Sequence, residues 1–241
     1  MTTQQENTKR IAKNTLMLYV RMLFSMLVSL YTSRVVLQTL GVEDYGIYNV
    51  VGGVVAMLGF LNASMSGATS RFLAFAIGKG NQKKVNETFS SALIIHIGIA
   101  LIVLIISETI GLWFLENKLV IPATRLDAAR IVYQFSIFST LVGITQVPYD
   151  ACIIAREKMN IYAYVEILNV CLRLVIVYIL LIGNYDKLIL YALLQFIVSL
   201  LIMFIYRIYS IRNYPETKFH FVLKRKQLVP MLNFSGWDML G

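Results

Sequence analysis

An uncharged run of 24 residues, Ile47 to Ser70, constrains the fold of this chain more than any other feature. At about 1.5 Å per residue, a helix of this length crosses the hydrocarbon core of a bilayer, which is about 30 Å thick. Its composition is not that of a simple anchor, because small residues recur every fourth position and Arg71 continues the row Gly59, Ala63, Gly67. Small residues at this spacing let another helix pack closely. We therefore predict a membrane-spanning helix that lines a protein interior.

Composition places the whole chain among integral membrane proteins. Hydrophobic residues make up 58% of its 241 residues, the mean hydropathy is +0.68, and charged residues make up only 15%. A soluble domain carries about 25% charged residues. The net charge of +9 does not indicate a nucleic-acid partner, because most basic residues lie in short loops between apolar runs. We expect an all-α integral membrane fold with the lipid bilayer as its surroundings.

The apolar runs predict a bundle of six membrane-spanning helices over residues 1–226. We expect a short acidic loop with Glu43 and Asp44 between the first two helices, Pro148 at the exit of the fourth, and a basic loop from Arg207 onward. A seventh helix is predicted to begin within residues 227–241. The approximate bounds of the six helices are 14–40, the run around Ile47–Ser70, 89–115, 131–149, 161–182 and 188–206.

The distribution of Lys and Arg predicts which side of the membrane each loop occupies. The N-terminus and the loops after the second, fourth and sixth helices hold 14 of these residues, whereas the other three loops hold 4. Short cytoplasmic loops carry the excess of positive charge in membrane proteins. We therefore predict a multi-pass protein with a cytoplasmic N-terminus.

Four arginines inside the predicted helices carry the main functional signal: Arg21, Arg34, Arg71 and Arg173. An arginine at the centre of a membrane helix costs roughly 2.5–3.5 kcal/mol on insertion scales, so such residues usually serve a function. An alternative for Arg34, which is close to the outer loop, is that its side chain reaches the lipid headgroups. Arg173 is nearest to the midplane of the bilayer, so an interfacial position explains it least. Arg71, which extends the small-residue row, is the arginine that we most expect to point into the bundle.

Further polar residues accompany these arginines. Glu166 lies on the same helical face as Arg173, roughly 10.5 Å away along the axis, so it is a distant partner and a candidate ion-coupling carboxylate. Asn62 lies on the strip beside the small-residue row. A polar stripe on the fourth helix, Ser136, Ser139, Gly143 and Gln146, fits helix–helix packing better than a binding site. The sequence has no nucleotide-binding loop, catalytic pair or metal-ligand spacing, so we expect no enzyme activity, cofactor or metal.

Several sequence blocks resemble a known family. They are SRVVLQTLGVEDYGIYNVVGG, FLNASMSGATSRFLAFAIGKG, QVPYDACIIAREKMNIYAYVEIL and FSGWDML. Together they are similar to the O-antigen and polysaccharide flippases of the MOP exporter superfamily, which is related to MATE-type transporters. The resemblance implies two bundles of six helices that face a central cavity. This chain would form the N-terminal bundle, and its missing partner would be the C-terminal bundle.

The resemblance also implies a function. Similar proteins move undecaprenyl-pyrophosphate-linked oligosaccharides across the bacterial inner membrane for surface polysaccharide and lipopolysaccharide biosynthesis, by alternating access. The substrate-binding residues would then be Arg21, Arg34, Arg71, Arg173 and Asn62, because guanidinium groups bind phosphates well. Two alternatives remain open at this point. One is a multidrug or cation exporter of the same superfamily, and the other is an integral-membrane glycosyltransferase or polymerase.

Overall fold

The computed structural model describes residues 2–182, 185–220, 229–231 and 233, and it describes side chains from residue 15 onward except in residues 60–64. The described part of the chain is almost entirely helical and contains no strand. A π-helical turn, Ser107–Gly111, joins α3 to α4, and short 3-10 helices occupy Ala123–Arg125 and Pro215–Thr217. The α-helices are α1 (Thr2–Met57), α2 (Phe60–Gly78), α3 (Gln82–Ile106), α4 (Leu112–Asn117), α5 (Leu126–Ala155), α6 (Met159–Leu180) and α7 (Lys187–Asn213).

Five helical segments of the described chain are long and apolar enough to cross a membrane. This agrees with the predicted all-α membrane fold, but α2 is not among the five, so these lengths do not confirm six spans. The first segment has 43 residues because it combines the first predicted helix with the beginning of the second. The five segments are Thr15–Met57, Gln82–Asn117, Ala123–Ala155, Met159–Leu180 and Lys187–Asn213.

A single glycine separates the first two predicted helices. Gly41 has φ 82° and ψ 169°, which interrupts α1, and the helix resumes with the next residue. The predicted acidic loop is therefore wrong, because Glu43 and Asp44 are both helical. The physical reason is that glycine adopts positive φ without steric cost and can redirect a helix within one residue.

A tight turn at Leu58 and Gly59 breaks the predicted second helix. Both backbone N–H groups donate to carbonyls three residues earlier, at 3.1 Å and 2.9 Å. An added Cβ at Gly59 would lie 3.0 Å from the Ala56 carbonyl oxygen, so the turn favours glycine. The small-residue row therefore begins at the N-cap of α2 rather than inside a longer helix, and Gly67 and Arg71 at its far end are exposed.

Helix α5 lies at the centre of the bundle and contacts α1, α2, α3, α6 and α7. Its residues contribute to the two largest core clusters of the described residues, one with Phe89 and Tyr206 and the other with Val51 and Leu188. Pro148 lies inside α5 and is buried, so the prediction that it marks the exit of the helix is wrong. The helix continues to Ala155 because packing around the proline outweighs the loss of one backbone hydrogen bond.

Arg125 ties together one end of the bundle. Its guanidinium forms an ion pair with Asp44 and a second one, of 2.7 Å, with Asp186 at the start of α7. Burial raises the pKa of the Asp186 carboxyl, but hydrogen bonds from Arg125 and from backbone N–H groups outweigh this effect and hold the pKa below its ordinary value. These three segments are ones that the Lys and Arg count assigns to the same side of the membrane.

Glu216 ties together the opposite end. Its buried carboxylate forms an ion pair with Arg156 and accepts a 2.6 Å hydrogen bond from Gln82 Nε2, while Asn86 Nδ2 donates to its backbone carbonyl at 2.8 Å. The start of α3, the α5–α6 connection and the segment after α7 thus meet at one carboxylate. They are the three connections predicted to be cytoplasmic, so the structure groups the connections as the charge count does.

Candidate functional site

Four helices, α1, α5, α6 and α7, surround a cavity of about 310 Å³. This volume lies at the lower end of the range of about 300–1,000 Å³ found for ligand pockets. The cavity lies between the two ion-pair clusters along the length of α5. Its lining residues are Tyr48, Gly52, Phe135, Ser136, Ser139, Thr140, Arg173, Ala192, Gln195 and Ser199.

Arg173 contributes the positive charge in the lining of this cavity. Its side chain is not covered by the neighbouring helices. Its Nε is 3.4 Å from Asn169 Oδ1, one turn earlier on α6. It also lines a smaller neighbouring cavity of about 80 Å³, together with Ser29 and Thr32. A guanidinium carries five N–H donors and the hydrogen bond to Asn169 uses one, so Arg173 can offer several donors to a ligand in these cavities.

Two serines on the cavity wall donate their hydroxyl protons to backbone carbonyls of their own helices. Ser136 Oγ donates to the Val132 carbonyl at 2.8 Å, and Ser199 Oγ donates to the Phe196 carbonyl at 2.7 Å. The sequence favoured helix–helix packing for the α5 stripe, but Ser136 and Ser139 lie on the cavity wall. Only the C-terminal end of the stripe is packed. There Gln146 is buried and its Nε2 donates to Asp150 Oδ1 at 2.9 Å.

Aromatic rings give the cavity rigid sides. Tyr48 meets Tyr191 edge-on with ring centroids 4.6 Å apart, and the Tyr191 hydroxyl accepts a 3.0 Å hydrogen bond from Gln195 Nε2. Phe135 packs on Phe196 at 5.8 Å. Sequence reasoning did not identify Tyr48, because a tyrosine in an apolar run carries no sign of which helix it faces.

The structure does not bring the other predicted arginines to this cavity. Arg34 is exposed on α1, and Arg71 lines an apolar depression with Phe72 and Phe75. The Arg21 guanidinium lies 5.0 Å from the ring centroid of Tyr162. The side chain of Asn62 lies outside the described residues. Whether these four residues contact substrate stays a prediction.

Glu166 is not paired with Arg173 among the described residues. It interacts electrostatically with Asp150 on α5 and with Tyr206 on α7, and Arg21 lies near the same tyrosine. The rise between Glu166 and Arg173 along α6 is too large for a direct contact, as their spacing already indicated. Asp150 was expected in a loop; its place in α5 follows from the continuation of that helix beyond Pro148.

Arg207 belongs to a helix rather than to the predicted basic loop. Helix α7 continues to Asn213, seven residues beyond the predicted end. There Arg207 Nη2 donates to Thr145 Oγ1 at 2.8 Å and lies 5.3 Å from the Tyr149 ring centroid. These contacts on α5 explain how a charged residue is accommodated within the helix. These contacts could not be predicted from the sequence, because both partners belong to a distant segment.

Comparison with known proteins identifies the family. The model of a family described as "polysaccharide biosynthesis protein" matches residues 11–241, which is almost the whole chain. No curated protein and no solved structure matched. The family match confirms the resemblance to polysaccharide flippases that the sequence blocks indicated. The chain, whose described part contains apolar helices long enough to cross a membrane, therefore belongs to this polysaccharide biosynthesis protein family.

Proposed function

We propose that the protein acts in a flippase that moves undecaprenyl-pyrophosphate-linked oligosaccharide across the bacterial inner membrane. The family match supports a polysaccharide-related membrane transporter. The observation that carries the finer proposal is the cavity of about 310 Å³ with Arg173 in its wall. The substrate headgroup is an anion that must pass through hydrocarbon, and a polar cavity inside a helical bundle replaces part of its lost hydration.

Arg173 binds a phosphate of the substrate in this proposal. A guanidinium forms two parallel hydrogen bonds with phosphate oxygens. At 4 Å and an effective dielectric constant of 20, the Coulomb attraction is about 4 kcal/mol before the cost of desolvation is subtracted. One such contact holds the headgroup and still permits release. Arg21, Arg34 and Arg71, which lie outside this cavity, and Asn62 are further proposed contacts along the route.

We also propose the arrangement of the bundle in the membrane. The part of α1 before Gly41 forms the first span, and residues 42–78 form the second, with its tight turn in the middle. Residues 1–226 then form six spans with a cytoplasmic N-terminus. The seventh span proposed for residues 227–241 lies mostly outside the described residues. A second six-helix bundle completes a MATE-like transporter, which works by alternating access with one bundle rocking against the other. Glu166 couples this motion to an ion.

A multidrug or cation exporter of the same superfamily is the second candidate function. The observation that favours it is that Asp150 and Glu166 interact within the helical part of the bundle. Intramembrane carboxylates suit cationic substrates. An exporter of this kind would remove a cationic dye from cells, whereas a flippase would restore surface polysaccharide. We propose no catalytic step for either function.

The test of the proposed function is Arg173→Ala in the full-length protein. The variant is expressed in a bacterial strain that lacks its own flippase for the same polysaccharide. Surface polysaccharide is measured per molecule of membrane-inserted protein, so that a loss of abundance is not counted as a loss of transport. We expect export to fall at least about tenfold, because one phosphate contact of this kind is worth 1.5–3 kcal/mol.

Two matched variants make the test specific. Arg173→Lys should retain part of the export, because lysine keeps the charge but loses two-point contact. Arg34→Ala removes a further proposed contact that is exposed on α1 and does not line the cavity, so it should lower export less than Arg173→Ala does. Normal export per molecule by Arg173→Ala would overturn the proposal. Loss of dye efflux in the same variant, with polysaccharide unaffected, would favour the exporter.

A further inference from the structure

We propose that the cavity around Arg173 has a second, chemically distinct wall that binds the hydroxyl groups of the sugar next to the phosphate. The residues of this wall are Ser136 on α5 and Ser199 and Gln195 on α7. Most of the hydrogen-bonding atoms that they leave open are acceptors, whereas Arg173 presents donors. This inference rests on the proposed function, because it assumes that the phosphate of a lipid-linked sugar binds at Arg173.

The two serines are acceptors because their protons are already used. Each hydroxyl has one O–H donor and two lone pairs. Ser136 donates to the Val132 carbonyl at 2.8 Å, and Ser199 donates to the carbonyl of Phe196 at 2.7 Å. Both partners are backbone carbonyls of the same helix, so they do not move away when a ligand enters. What these hydroxyls can offer to the cavity is therefore a lone pair.

Gln195 adds a third acceptor. One of its two Nε2–H groups donates to the Tyr191 hydroxyl at 3.0 Å, which leaves Oε1 as an acceptor and the second N–H as a donor. Tyr191 is 8% exposed, and its ring lies edge-on to Tyr48 at 4.6 Å. Because packing fixes the tyrosine, the tyrosine in turn fixes the orientation of the Gln195 amide. Gln195 lines both the main cavity and the smaller one, in each case with Arg173.

The pattern of donors and acceptors selects the chemistry of the ligand. Ionised phosphate oxygens are acceptors, so they bind at Arg173 and gain nothing from the serine lone pairs. A cation would suit the acceptors but is repelled by Arg173 in the same cavity. A neutral group with several hydroxyls can donate to the lone pairs of this wall. It is not repelled by Arg173, as a cation is, and it does not lack donors, as a phosphate does. A sugar attached to phosphate has this combination, with an anion at one end and hydroxyl donors at the other.

The rest of the lining fits the same ligand, and it includes the hydroxyls of Ser139 and Thr140, which can donate or accept. The rings of Tyr48 and Phe135 offer apolar surface against which the carbon face of a sugar ring can pack. The volume of about 310 Å³ holds a phosphate and an adjoining sugar rather than a long oligosaccharide. The sugars beyond this point would lie outside the cavity and make no contact with the wall.

Two lipids that differ only in the sugar test this assignment. The purified full-length protein is reconstituted in lipid nanodiscs, and its affinity is measured for undecaprenyl pyrophosphate and for undecaprenyl pyrophosphate that carries one hexose. The double variant Ser136→Ala with Ser199→Ala should bind the hexose-bearing lipid about tenfold more weakly or worse, since two neutral hydrogen bonds are lost. Its affinity for the sugar-free lipid should change less than about twofold, which also shows that the variant is folded.

A hydroxyl elsewhere in the bundle provides the control. Thr109 Oγ1 donates to the Ile105 carbonyl at 2.7 Å, as Ser136 does within its own helix, but Thr109 does not line the cavity. Thr109→Val should leave both affinities unchanged. Gln195→Leu, which removes the third acceptor, should weaken only the hexose-bearing lipid.

The outcomes separate this inference from the proposed function. If Arg173→Ala weakens both lipids and the serine variants weaken neither, phosphate binding stands and the sugar assignment is overturned. Equal weakening of both lipids by the serine variants would also overturn it, because an acceptor wall has no reason to affect a sugar-free ligand. If Arg173→Ala changes neither affinity, the site proposed for phosphate fails, and the sugar assignment that rests on it fails as well.

Discussion

Replacement of Gly111 by alanine gives the sharpest test of the packing of this bundle. Gly111 ends the π-helical turn between α3 and α4 and is buried. A Cβ built on this residue would lie 2.0 Å from the Tyr133 hydroxyl oxygen and 3.3 Å from Tyr133 Cζ. Tyr133 is completely buried and donates a 2.8 Å hydrogen bond to the Ser107 carbonyl of the same turn. The methyl group and the hydroxyl cannot occupy these positions together.

The expected loss of stability follows from the displacement of the Tyr133 hydroxyl by the added methyl group. Displacement of the Tyr133 hydroxyl leaves a buried donor and the Ser107 carbonyl without their hydrogen bond, which costs about 1–3 kcal/mol. Overpacking of a closely packed site costs about 1–3 kcal/mol more. Alanine returns about 1 kcal/mol through its higher helix propensity. We therefore expect Gly111→Ala to lower the free energy of unfolding by about 3 kcal/mol.

The assay compares unfolding of the detergent-solubilised protein and its variants in a denaturant titration. Gly98→Ala is the matched control. Gly98 lies in α3, the helix before the π-helical turn, and no atom lies within 4 Å of the position of its added Cβ. That control should be unchanged or stabilised by up to about 1 kcal/mol. Equal stability of the two alanine variants would refute the packing argument.

A second variant tests the named contact. Tyr133→Phe removes the hydroxyl, so in combination with Gly111→Ala only the milder 3.3 Å contact with Cζ remains. The double variant should therefore be more stable than the sum of the two single effects predicts, by about 0.5–3 kcal/mol. Strictly additive effects would mean that the hydroxyl is not what opposes the methyl group.

Two further predictions concern the ends of the bundle. Because the pKa of Asp186 lies below its ordinary value, its pairing with Arg125 stabilises the folded state fully above the unfolded pKa of about 3.9 and is lost as the pH falls through the lower folded pKa. The stability difference between the wild type and Asp186→Asn should thus be constant near neutral pH and shrink below about pH 4; a difference that persists unchanged to about pH 2 would contradict this. In a cysteine-free background, a cysteine at exposed Lys83 should be protected from impermeant thiol reagents in intact cells, and one at exposed Val120 should react. The reverse labelling would contradict a cytoplasmic N-terminus.

Much of the helical architecture could be predicted from apolar periodicity alone. The errors occurred where one residue decides the local geometry. Gly41 redirects the chain without a loop, and the turn at Gly59 divides a run whose composition is continuous. Pro148 was expected to end its helix, but its surroundings keep it helical. In each case the outcome depends on tertiary contacts of the backbone, which composition does not report.

The candidate site was predictable only in part. Arg173 could be identified because an arginine in the middle of an apolar helix is costly, and this argument needs no partner. The same argument also selected Arg21, Arg34 and Arg71, which the structure places elsewhere. Period and spacing assign a residue to a helical face, but the rotation of each helix, and therefore which faces converge, depends on packing between distant segments. Tyr48 could not be found for that reason.

The positions of the ion-pair clusters bear on how such a bundle could move. Arg125 joins three segments at one end, Glu216 joins three at the other, and the Arg173 cavity lies between them. Since α5 packs against five other helices and carries residues of both core clusters, a change in the cavity alone would require many buried contacts to break. Under the proposed alternating access, the bundle therefore moves as one unit, and the motion occurs at its exposed faces. Gly67 and Arg71 on α2 lie on such a face.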